Sequence, residues 1–335
     1  MSQPLVSLLI PFKNTSKYLE DCITTIQEQT YANWEGIFVN DHSSDNSSEL
    51  VKSFVKNDAR IKLLENQNEG IISALRIALQ HSSGTYISRM DSDDIMLSNK
   101  LTSMVNDLKT SGKNHIALGL VEYFSETSIS DGYLEYQNWL NELTKTGQNF
   151  DEIYKECAIA SPCWMLHRED LLKCGAFDFD NYPEDYDLTF RFYKNDLKCI
   201  PNNKTLHHWR DYNLRTSKTN ENYNLEAFTK LKTKYFLEID YDVSRPLTIW
   251  GAGQKGKTVA ITLIENNVPF YWITENPNKS EKKVYNQPLW SLDMFKKLDN
   301  PQSIITIADE GSQKTIHDFF ANIEMLKMKD YFMFC

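Results

Sequence analysis

Three aspartates lie within four positions of the stretch "RMDSDDIML": Asp91, Asp93 and Asp94. Carboxylates this close repel one another unless their charge is compensated. The aspartate cluster, as we call these three residues, directly follows the alternating run "GTYISRM", which predicts a β-strand. It is therefore either a solvated turn with helix-capping aspartates or a cation site. Mg²⁺ and Mn²⁺ are held by one or two carboxylates while substrate phosphates supply further oxygens, so a site for a metal and a diphosphate needs this arrangement.

Two further places in the sequence carry acidic side chains suited to binding or catalysis. Asp41 ends the apolar run "WEGIFVND", where a carboxylate could accept hydrogen bonds from a base or a ribose. Glu184 and Asp185 open the predicted helix "PEDYDLTFRF". Acids in a first helical turn commonly interact with the helix dipole, but a carboxylate that faces a ligand crevice could instead take a proton from an attacking hydroxyl. The spacing alone leaves both interpretations of this pair open.

A regular alternation of strand and helix patterns positions these residues. Strands are predicted at "LVSLLI" (5–10), "WEGIFVND" (34–41), "IKLLEN" (61–66) and "TYISRMD" (85–91), with helices between them. This alternation of strands and helices with short connections predicts a parallel, doubly wound sheet. Ligands of such sheets bind beyond the carboxyl ends of the strands. Four residues lie just past predicted strand ends, and we expect them to converge on one crevice. They are Pro11, Asp41, Asn68 and Asp91.

The pattern is less regular after residue 100. A helix is predicted at 99–111, a strand at 115–124, an acid-led helix at 182–195 and a linking helix at 220–243, whereas the stretch 131–160 is aromatic and polar without a clear period. A new β-α-β pattern starts after Arg245. We therefore divide the chain into a first domain at 1–219, a helical linker at 220–244 and a small C-terminal domain at 245–335.

The composition excludes several classes of protein. With 41% hydrophobic and 12% aromatic residues, the chain can bury substantial cores. The net charge is -10 and the basic residues are scattered, which argues against nucleic-acid binding and against a polybasic membrane anchor. No apolar run approaches the ~18 residues of a membrane span, so we expect a cytoplasmic protein, free or peripheral to the inner face of the membrane. The six cysteines form no C-x-x-C pair and are predicted to be reduced and mostly buried.

Read in order, the segments described above resemble glycosyltransferase family 2. The resemblance is carried by "VSLLIPFKNTSKYLEDCITTIQEQTYANWEGIFVNDHSSDNS", "NEGIISAL", "DSDD", "SPCWMLHREDLLKCGAFDFD" and "EDYDLTFR", and it covers roughly residues 4 to 215. An ordered series of this kind is far more specific than any one motif. It implies an α/β protein with a GT-A nucleotide-sugar-binding domain built on a mostly parallel central sheet.

The resemblance also implies an activity. Members of the family transfer a sugar from a nucleotide donor to an acceptor hydroxyl with inversion at the anomeric carbon. For this chain it implies a transferase that depends on Mn²⁺ or Mg²⁺, takes a UDP-sugar as donor and uses a saccharide or glycolipid as acceptor. The usual setting of the family is the synthesis of cell-surface polysaccharides and glycoconjugates, and assembly as a homo-oligomer stays open.

Carried over residue by residue, the resemblance makes Asp185 the general base and Asp93 the direct ligand of the divalent metal. His208, in the later segment "HHWRDYNLRTS", could complete the metal shell. The residues assigned to donor binding are Pro11, Phe12, Asp41, Asn68, Asp91, Ser92 and Arg210.

Two positions depart from the family pattern. Asn40 replaces the first of two aspartates, and Arg76 is displaced by one position, or about 100° around a helix, which argues against a phosphate role.

The C-terminal domain opens with "WGAGQKG", a G-x-G-x-x-G motif at Gly251, Gly253 and Gly256. Read literally, this motif is a dinucleotide fingerprint that places a pyrophosphate at a helix N-terminus, with an acidic residue about 20 positions further on. Glu275 could be that residue, although Thr274 sits nearer the strand end. The domain resembles the small Rossmann-like tail of some family 2 enzymes. We expect a non-redox role in nucleotide or acceptor binding or in assembly, or else glycines that merely permit a tight turn.

Two other functions compete with the transferase hypothesis. An NAD-dependent sugar-nucleotide oxidoreductase would account for the glycine motif, but it would leave "DSDD" and "PEDYDL" without a role. A non-catalytic nucleotide-sugar-binding protein is disfavoured because the acidic residues assigned to the donor, the metal and the base are all present. A metal-dependent transferase therefore remains the principal hypothesis.

Overall fold

The computed structural model describes residues 3–213, 215–274 and 282–335. The chain forms two compact units. The N-terminal unit consists of Met1–Phe150 and Ala158–Thr219, and the C-terminal unit consists of Asp151–Cys157 and Asn220–Cys335. The helix predicted as a linker thus groups with the C-terminal unit, together with a short segment taken from within the first predicted domain.

The N-terminal unit begins with four strands that alternate with helices, as the sequence predicts. Its elements are β1 (Val6–Phe12), α1 (Ser16–Gln27), β2 (Trp34–Asn40), α2 (Ser47–Val55), β3 (Ile61–Glu65), α3 (Ile71–Gln80), β4 (Tyr86–Arg89), β5 (Ile95–Met96), α4 (Lys100–Ser111), β6 (His115–Leu118), β7 (Leu120–Phe124), α5 (Asp131–Thr146), β8 (Trp164–His167), α6 (Arg168–Lys173), α7 (Glu184–Lys194), β9 (Lys198–Ile200), β10 (Thr205–Arg210) and α8 (Thr216–Thr219).

The central sheet of this unit contains seven strands in the order β3-β2-β1-β4-β8-β6-β9. Strands β3, β2, β1 and β4 are parallel to their neighbours within this group, whereas β8 runs antiparallel to both β4 and β6. All seven residues of β1 and of β2 are buried, which explains their continuous apolar runs, because helices cover both faces of such a sheet. The prediction of a mostly parallel α/β sheet is confirmed.

Hydrophobic cores lie on both faces of the central sheet. Leu8 and Ile10 of β1 belong to one core, which also includes Leu19 of α1. Leu9, which points to the opposite face, belongs to the other core together with Leu75 of α3. Alternate side chains of a strand face opposite sides of a sheet, so β1 is fixed in register from both faces.

The run 115–124 predicts one strand, and this prediction is wrong. The chain splits at Gly119 into β6, in the central sheet, and β7, in a second sheet of order β5-β10-β7. A Cβ atom on Gly119 would lie 2.6 Å from the Leu206 side chain, so the strands can pass this close only because residue 119 lacks one. Strand periodicity does not reveal which sheet a residue joins, and the sequence therefore hides this change.

The C-terminal unit is a smaller α/β structure. It contains α9 (Leu225–Ile239), β11 (Leu247–Trp250), α10 (Gln254–Glu265), β12 (Tyr271–Ile273), β13 (Lys283–Val284), β14 (Gln287–Trp290), α11 (Leu292–Phe295), β15 (Gln302–Ile305), α12 (Glu310–Asn322) and β16 (Tyr331–Met333). In the described part, its strands form a sheet of order β13-β14-β12-β11-β15-β16, and only the pairing of β13 with β14 is antiparallel.

Two general expectations can be compared with these elements. All six cysteines are free and buried, as predicted. Within residues 3–213, 215–274 and 282–335, no helix combines the length and the apolar character that a bilayer crossing requires.

Candidate active site

The parallel strands bring Asp41 and Asp91 to one edge of the central sheet. The backbone N–H of Asp41 donates to the carbonyl of Phe12, at 2.9 Å, and so continues the pairing of β2 with β1. The N–H of Met90 donates to the carbonyl of Leu9, at 3.0 Å, and continues the pairing of β4 with β1. Asp41 and Asp91 therefore follow parallel strands at the same carboxyl edge, where ligands of α/β sheets bind.

Asp41 is held by the loop that follows β3. Its Oδ1 atom accepts hydrogen bonds from Asn66 Nδ2, at 2.7 Å, and from the backbone N–H of Gly70, at 3.0 Å. Its Oδ2 atom lies 3.6 Å from Lys13 Nζ. Asn68 lies in the same loop, and its carbonyl is 2.8 Å from His42 Nε2. The carboxylate is thus fixed on one oxygen and faces a cation on the other.

Three residues assigned to donor binding make interior contacts. Pro11 and Phe12 lie within β1 rather than beyond its end, and both are buried. The Phe12 side chain packs in the hydrophobic core, with 2% of its surface exposed. The Ser92 hydroxyl donates to Thr15 Oγ1 at 3.1 Å, at the start of α1.

A buried arginine joins the aspartate cluster to the acidic pair of α7. Arg89 Nε donates to Asp91 Oδ1 at 2.8 Å, and Arg89 Nη1 donates to Glu184 Oε1 at 3.0 Å. The second contact joins positions 95 apart in sequence. No sequence pattern assigns a role to Arg89. The feature that could have identified it as a site residue is its position at the end of a buried strand, just before the three aspartates.

Asp185 follows Glu184 in the first turn of α7. Its Oδ1 accepts the backbone N–H of Tyr186 at 2.8 Å. Burial and the negative charge of Glu184 raise the pKa of Asp185 to about 7, against the opposing charge of Arg89. A carboxylate with a pKa near the operating pH is suited to accept a proton.

Asp93 is the member of the aspartate cluster that contacts the segment after β10. Its Oδ2 accepts the Tyr212 hydroxyl at 2.7 Å, and its backbone carbonyl accepts Arg210 Nε at 2.6 Å. Burial and the charges of Asp94 and Asp91 raise the pKa of Asp93 to about 7. Charge repulsion of this kind would be relieved by a bound cation.

Asp94 uses both carboxylate oxygens within the protein. Oδ1 accepts the backbone N–H of Arg210 at 2.8 Å, and Oδ2 lies 2.9 Å from His207 Nε2. Burial and the charge of Asp91 raise the pKa of Asp94 to about 8. The three aspartates therefore have different partners: Asp91 pairs with Arg89, Asp93 accepts the Tyr212 hydroxyl, and Asp94 contacts two residues of β10.

Arg210 and His208 lie on β10 but in different surroundings. The Arg210 guanidinium lies 4.5 Å from the ring centres of both Tyr18 and Phe124, and its Nη2 is 3.2 Å from Asp21 Oδ2. His208 Nε2 lies 3.5 Å from Glu122 Oε2, and about a third of the His208 side chain is exposed. The histidine that contacts the aspartate cluster is thus His207.

A family model described as Glycosyl transferase family 2 matches residues 7–175, which is half of the chain. This chain belongs to glycosyl transferase family 2. The matched range includes β1 from Ser7 onward, β2 to β4 and the aspartate cluster. The family resemblance read from the sequence is therefore confirmed.

Relatives of known sequence carry the same assignment. UDP-Glc:α-D-GlcNAc-diphosphoundecaprenol β-1,3-glucosyltransferase WfgD of Escherichia coli is 33% identical over 204 residues, which cover 60% of this chain and 74% of that protein. An uncharacterized glycosyltransferase of Rickettsia bellii is 36% identical over 162 residues, covering 48% of this chain and 22% of that protein. RC0461 of Rickettsia conorii is 26% identical over 98% of this chain and 56% of its own length. The chain thus spans only part of the length of each of these relatives.

Solved glycosyltransferase structures share the fold. TarS of S. aureus in complex with UDP-GlcNAc superimposes with a TM-score of 0.51 at 15% identity, over 77% of this chain and 71% of that chain. The mannosyltransferase PcManGT of Pyrobaculum calidifontis, in complex with GDP-Man and Mn²⁺, gives a TM-score of 0.50 at 15% identity, over 79% and 76%. This member of glycosyl transferase family 2 therefore has the predicted GT-A fold.

The two departures from the family pattern both have structural partners within the N-terminal unit. Asn40 Nδ2 donates to Glu65 Oε2 at 2.8 Å, and its Oδ1 accepts the backbone N–H of Ser43 at 3.0 Å. Arg76 Nε donates to the carbonyl of Phe177 at 3.0 Å, and its Nη2 pairs with Asp180. Each side chain thus holds a loop of the GT-A unit.

The described residues contain no preformed group of three His, Cys, Asp or Glu side chains that could hold a metal ion. The chemistry of the donor set nevertheless fits a hard divalent cation. Asp93 and Asp91 offer carboxylate oxygens, and burial together with the charges of Asp94 and Asp91 raises the pKa of Asp93. Mg²⁺ and Mn²⁺ sites of this kind take few protein ligands and complete their shell with substrate phosphates.

The glycine motif of the C-terminal unit has a packing role. The Gly251 carbonyl accepts Trp272 Nε1 at 2.8 Å, and a Cβ atom on Gly256 would lie only 2.2 Å from that carbonyl oxygen. Gly251 has a φ of 99°, which favours glycine. The motif therefore lets α10 approach β11 closely. Glu275, which could complete a dinucleotide fingerprint, lies outside the described residues.

Proposed function

We propose that this protein is an inverting glycosyltransferase that moves a hexosyl or N-acetylhexosaminyl group from a UDP-sugar to an acceptor hydroxyl. The carrying observation is the buried Arg89, which joins Asp91 at the donor edge to the first turn of α7, where Asp185 lies. The choice of UDP rests on relatives, because WfgD is named for UDP-Glc and TarS was solved with UDP-GlcNAc.

The proposed reaction is a single displacement. The acceptor oxygen attacks the anomeric carbon from the face opposite the diphosphate, its proton passes to Asp185, and the bond from the anomeric carbon to the diphosphate oxygen breaks. UDP leaves with the bonding electron pair. Such a displacement needs one base and no nucleophile of the enzyme, so the pKa of Asp185 near 7 supports the assignment.

Donor binding is assigned to the carboxyl edge of β1, β2 and β4. Asp41 is proposed to accept hydrogen bonds from the base or ribose through the oxygen that faces Lys13. Asp91 is proposed to lie beside the donor sugar. Pro11, Phe12 and Ser92 would then shape this edge from the interior, and Asn68 and Arg210 would border the nucleotide.

The proposed metal ligand is Asp93. His208, whose Nε2 lies 3.5 Å from Glu122 Oε2 in the structure, is proposed to turn away from Glu122 to act as a second ligand. A bound Mn²⁺ or Mg²⁺ would offset the charge that builds up on the departing diphosphate. Asp93 Oδ2 accepts a hydrogen bond from Tyr212, which orients the carboxylate. Asp94 is not proposed as a ligand because both of its oxygens accept hydrogen bonds within the protein.

The acceptor is proposed to be a saccharide or glycolipid. The proposed setting is the synthesis of cell-surface polysaccharide or glycoconjugate, in the cytoplasm or at the inner face of the membrane.

The proposed function can be tested by incubating the protein with a panel of UDP- and GDP-sugars, Mn²⁺ and saccharide acceptors. We expect release of UDP and a new glycoside whose anomeric configuration, read by NMR, is opposite to that of the donor. Retention of configuration, or no turnover of any nucleotide sugar, would overturn the proposal.

A further inference from the structure

A buried polar network lies behind the aspartate cluster. Lys100, in the first turn of α4, is completely buried, and so is His207 on β10. Lys100 Nζ donates to the carbonyl of Pro162 at 2.6 Å and lies 3.3 Å from His207 Nδ1. His207 Nε2 in turn lies 2.9 Å from Asp94 Oδ2. A lysine at full burial requires such partners, because an unpaired charge there is costly.

The lysine determines which nitrogen of the histidine carries the proton. An ammonium group only donates hydrogen bonds, so His207 Nδ1 accepts from Lys100. The ring proton is therefore on Nε2, from which it is donated to Asp94. Both nitrogens of His207 are engaged, and the imidazole connects a cation to a carboxylate of the aspartate cluster.

The network reaches both sides of the candidate site. On one side, Asp94 accepts the backbone N–H of Arg210, at 2.8 Å, and so fixes the end of β10 that leads to Tyr212. On the other side, Lys100 holds the carbonyl of Pro162, and the preceding Ser161 Oγ lies 3.5 Å from Asp91 Oδ2. One buried ammonium group thus sets the positions of two segments that flank the aspartate cluster.

We propose that Lys100 and His207 are positioning residues for sugar transfer, which hold the aspartate cluster and the Ser161–Pro162 segment in one arrangement. The inference rests on the proposed function, since it assigns these residues to the same reaction. Supporting residues behind a metal ligand commonly change metal affinity about 10- to 100-fold when they are replaced. A displacement of about 1 Å in a reacting group can cost about 100-fold in rate.

Two substitutions of the histidine separate its two contacts. The side-chain amide nitrogen of His207→Gln can replace Nε2 and still donate to Asp94, whereas the amide oxygen of His207→Asn can replace Nδ1 and accept from Lys100 only. We expect His207→Gln to stay within a few-fold of the wild type in kcat and in Mn²⁺ affinity measured by electron paramagnetic resonance. We expect His207→Asn to lose about 10- to 100-fold in both.

Lys232→Met is a matched control for Lys100→Met. Lys232, in the C-terminal unit, is also buried, and its Nζ donates to the carbonyl of Lys155 at 2.6 Å. Both variants replace a buried lysine that donates to a main-chain carbonyl, so both should lose stability. Only Lys100→Met should lower kcat, by about 10-fold or more, with KM for the donor changed less than kcat.

Hydrogen exchange provides a readout that does not depend on activity. The Arg210 amide, which donates to Asp94, should exchange at least about 10-fold faster in His207→Asn than in the wild type or in His207→Gln. Equal effects of the two histidine variants in exchange, metal affinity and rate would overturn the inference, as would a Lys100→Met variant no slower than Lys232→Met. If no nucleotide sugar is turned over, the proposed function fails, while the exchange rates still decide whether His207 positions Asp94.

Discussion

Asp185 should determine how the reaction depends on pH. The burial of this carboxyl and the neighbouring Glu184 raise the pKa of Asp185 to about 7. The base works when deprotonated, so kcat/KM should rise with pH, by about tenfold per unit below pH 7, and level off above it. Initial rates of UDP release between about pH 5.5 and 9, at fixed Mn²⁺, would measure this profile.

Two variants test the assignment behind that profile. Glu184→Gln removes the negative charge beside Asp185, so the ascending limb should move to lower pH. Asp185→Asn should bind the donor normally but lose transfer by about 100- to 10,000-fold, the usual contribution of a general base. The base assignment fails if Asp185→Asn weakens donor binding as much as it slows transfer.

Asp93 should carry the metal dependence. Asp93→Ala removes the proposed carboxylate ligand, and the loss of charge stabilisation on the leaving diphosphate should slow transfer by about 100-fold or more. Excess EDTA should abolish turnover of the wild type, and added Mn²⁺ should restore it. His208→Ala should weaken Mn²⁺ binding if His208 is the second ligand. Turnover that persists in Asp93→Ala or in EDTA would contradict the metal site.

Arg89 should be important for stability as well as for the site. It pairs with two carboxylates and is 6% exposed. Arg89→Met would leave both acids without this partner and should lower the free energy of unfolding by about 3–5 kcal/mol. Lys113→Met, which breaks an exposed pair with Glu169, should cost less than about 1 kcal/mol. Urea unfolding of the two variants makes the comparison; similar losses would contradict the role of Arg89.

At the scale of elements, Gly119 controls where the chain leaves the central sheet. Gly119→Ala would place a Cβ atom 2.6 Å from Leu206, so we expect overpacking to destabilise the protein by about 1–3 kcal/mol. A Cβ atom on Gly132, in α5, would have no heavy atom of another segment within 4 Å, so Gly132→Ala should stabilise by up to about 1 kcal/mol. Thermal unfolding distinguishes the two, and a neutral Gly119→Ala would contradict this account.

The elements that can be predicted from the sequence are those with strong periodicity. The strands β1 to β4 and the helices between them follow apolar runs, and α7 follows its leading acids, because burial on a sheet or helix face imposes these patterns. Helix α5 escapes prediction because only Leu140 and Thr144 are buried along its 16 residues. A helix with so small a buried face leaves a weak pattern in the sequence.

The contacts of the site depend on tertiary structure and are less predictable. Parallel topology alone is enough to predict that Asp41 and Asp91 share one edge. The bond between His207 and Asp94 joins positions 113 apart, and no local pattern distinguishes His207 from His208. Along β10, the side chain of His207 points inward and that of His208 is partly exposed. The sequence alone does not tell which of the two histidines is buried, because it does not show which face of the strand packs against the protein.

At the scale of the whole molecule, the two units follow contacts rather than sequence order. Tyr154 explains why 151–157 belongs to the C-terminal unit: its ring stacks on Phe334 at 5.3 Å, and its hydroxyl donates to Asp240 Oδ2 at 2.6 Å. The "WGAG" motif indicates a second α/β unit in the sequence. The inclusion of 151–157 in that unit is not predictable, because the partners of Tyr154 lie far along the chain, with Asp240 86 positions away.

Ligand titration separates the transferase from the oxidoreductase hypothesis. A ligand that binds only the folded state stabilises it by about 2.7 kcal/mol at 100 times its Kd, which raises the melting temperature of a domain of this size by about 5–10 °C. We expect the donor UDP-sugar with Mn²⁺ to produce such a shift, and EDTA to remove most of it. NAD should produce none if the chain is the proposed transferase. Gly251 and Gly256 pack α10 on β11, whereas a Cβ atom on Gly253 would have no heavy atom within 4 Å. A shift with NAD, lost in Gly253→Ala, would instead assign dinucleotide binding to the C-terminal unit.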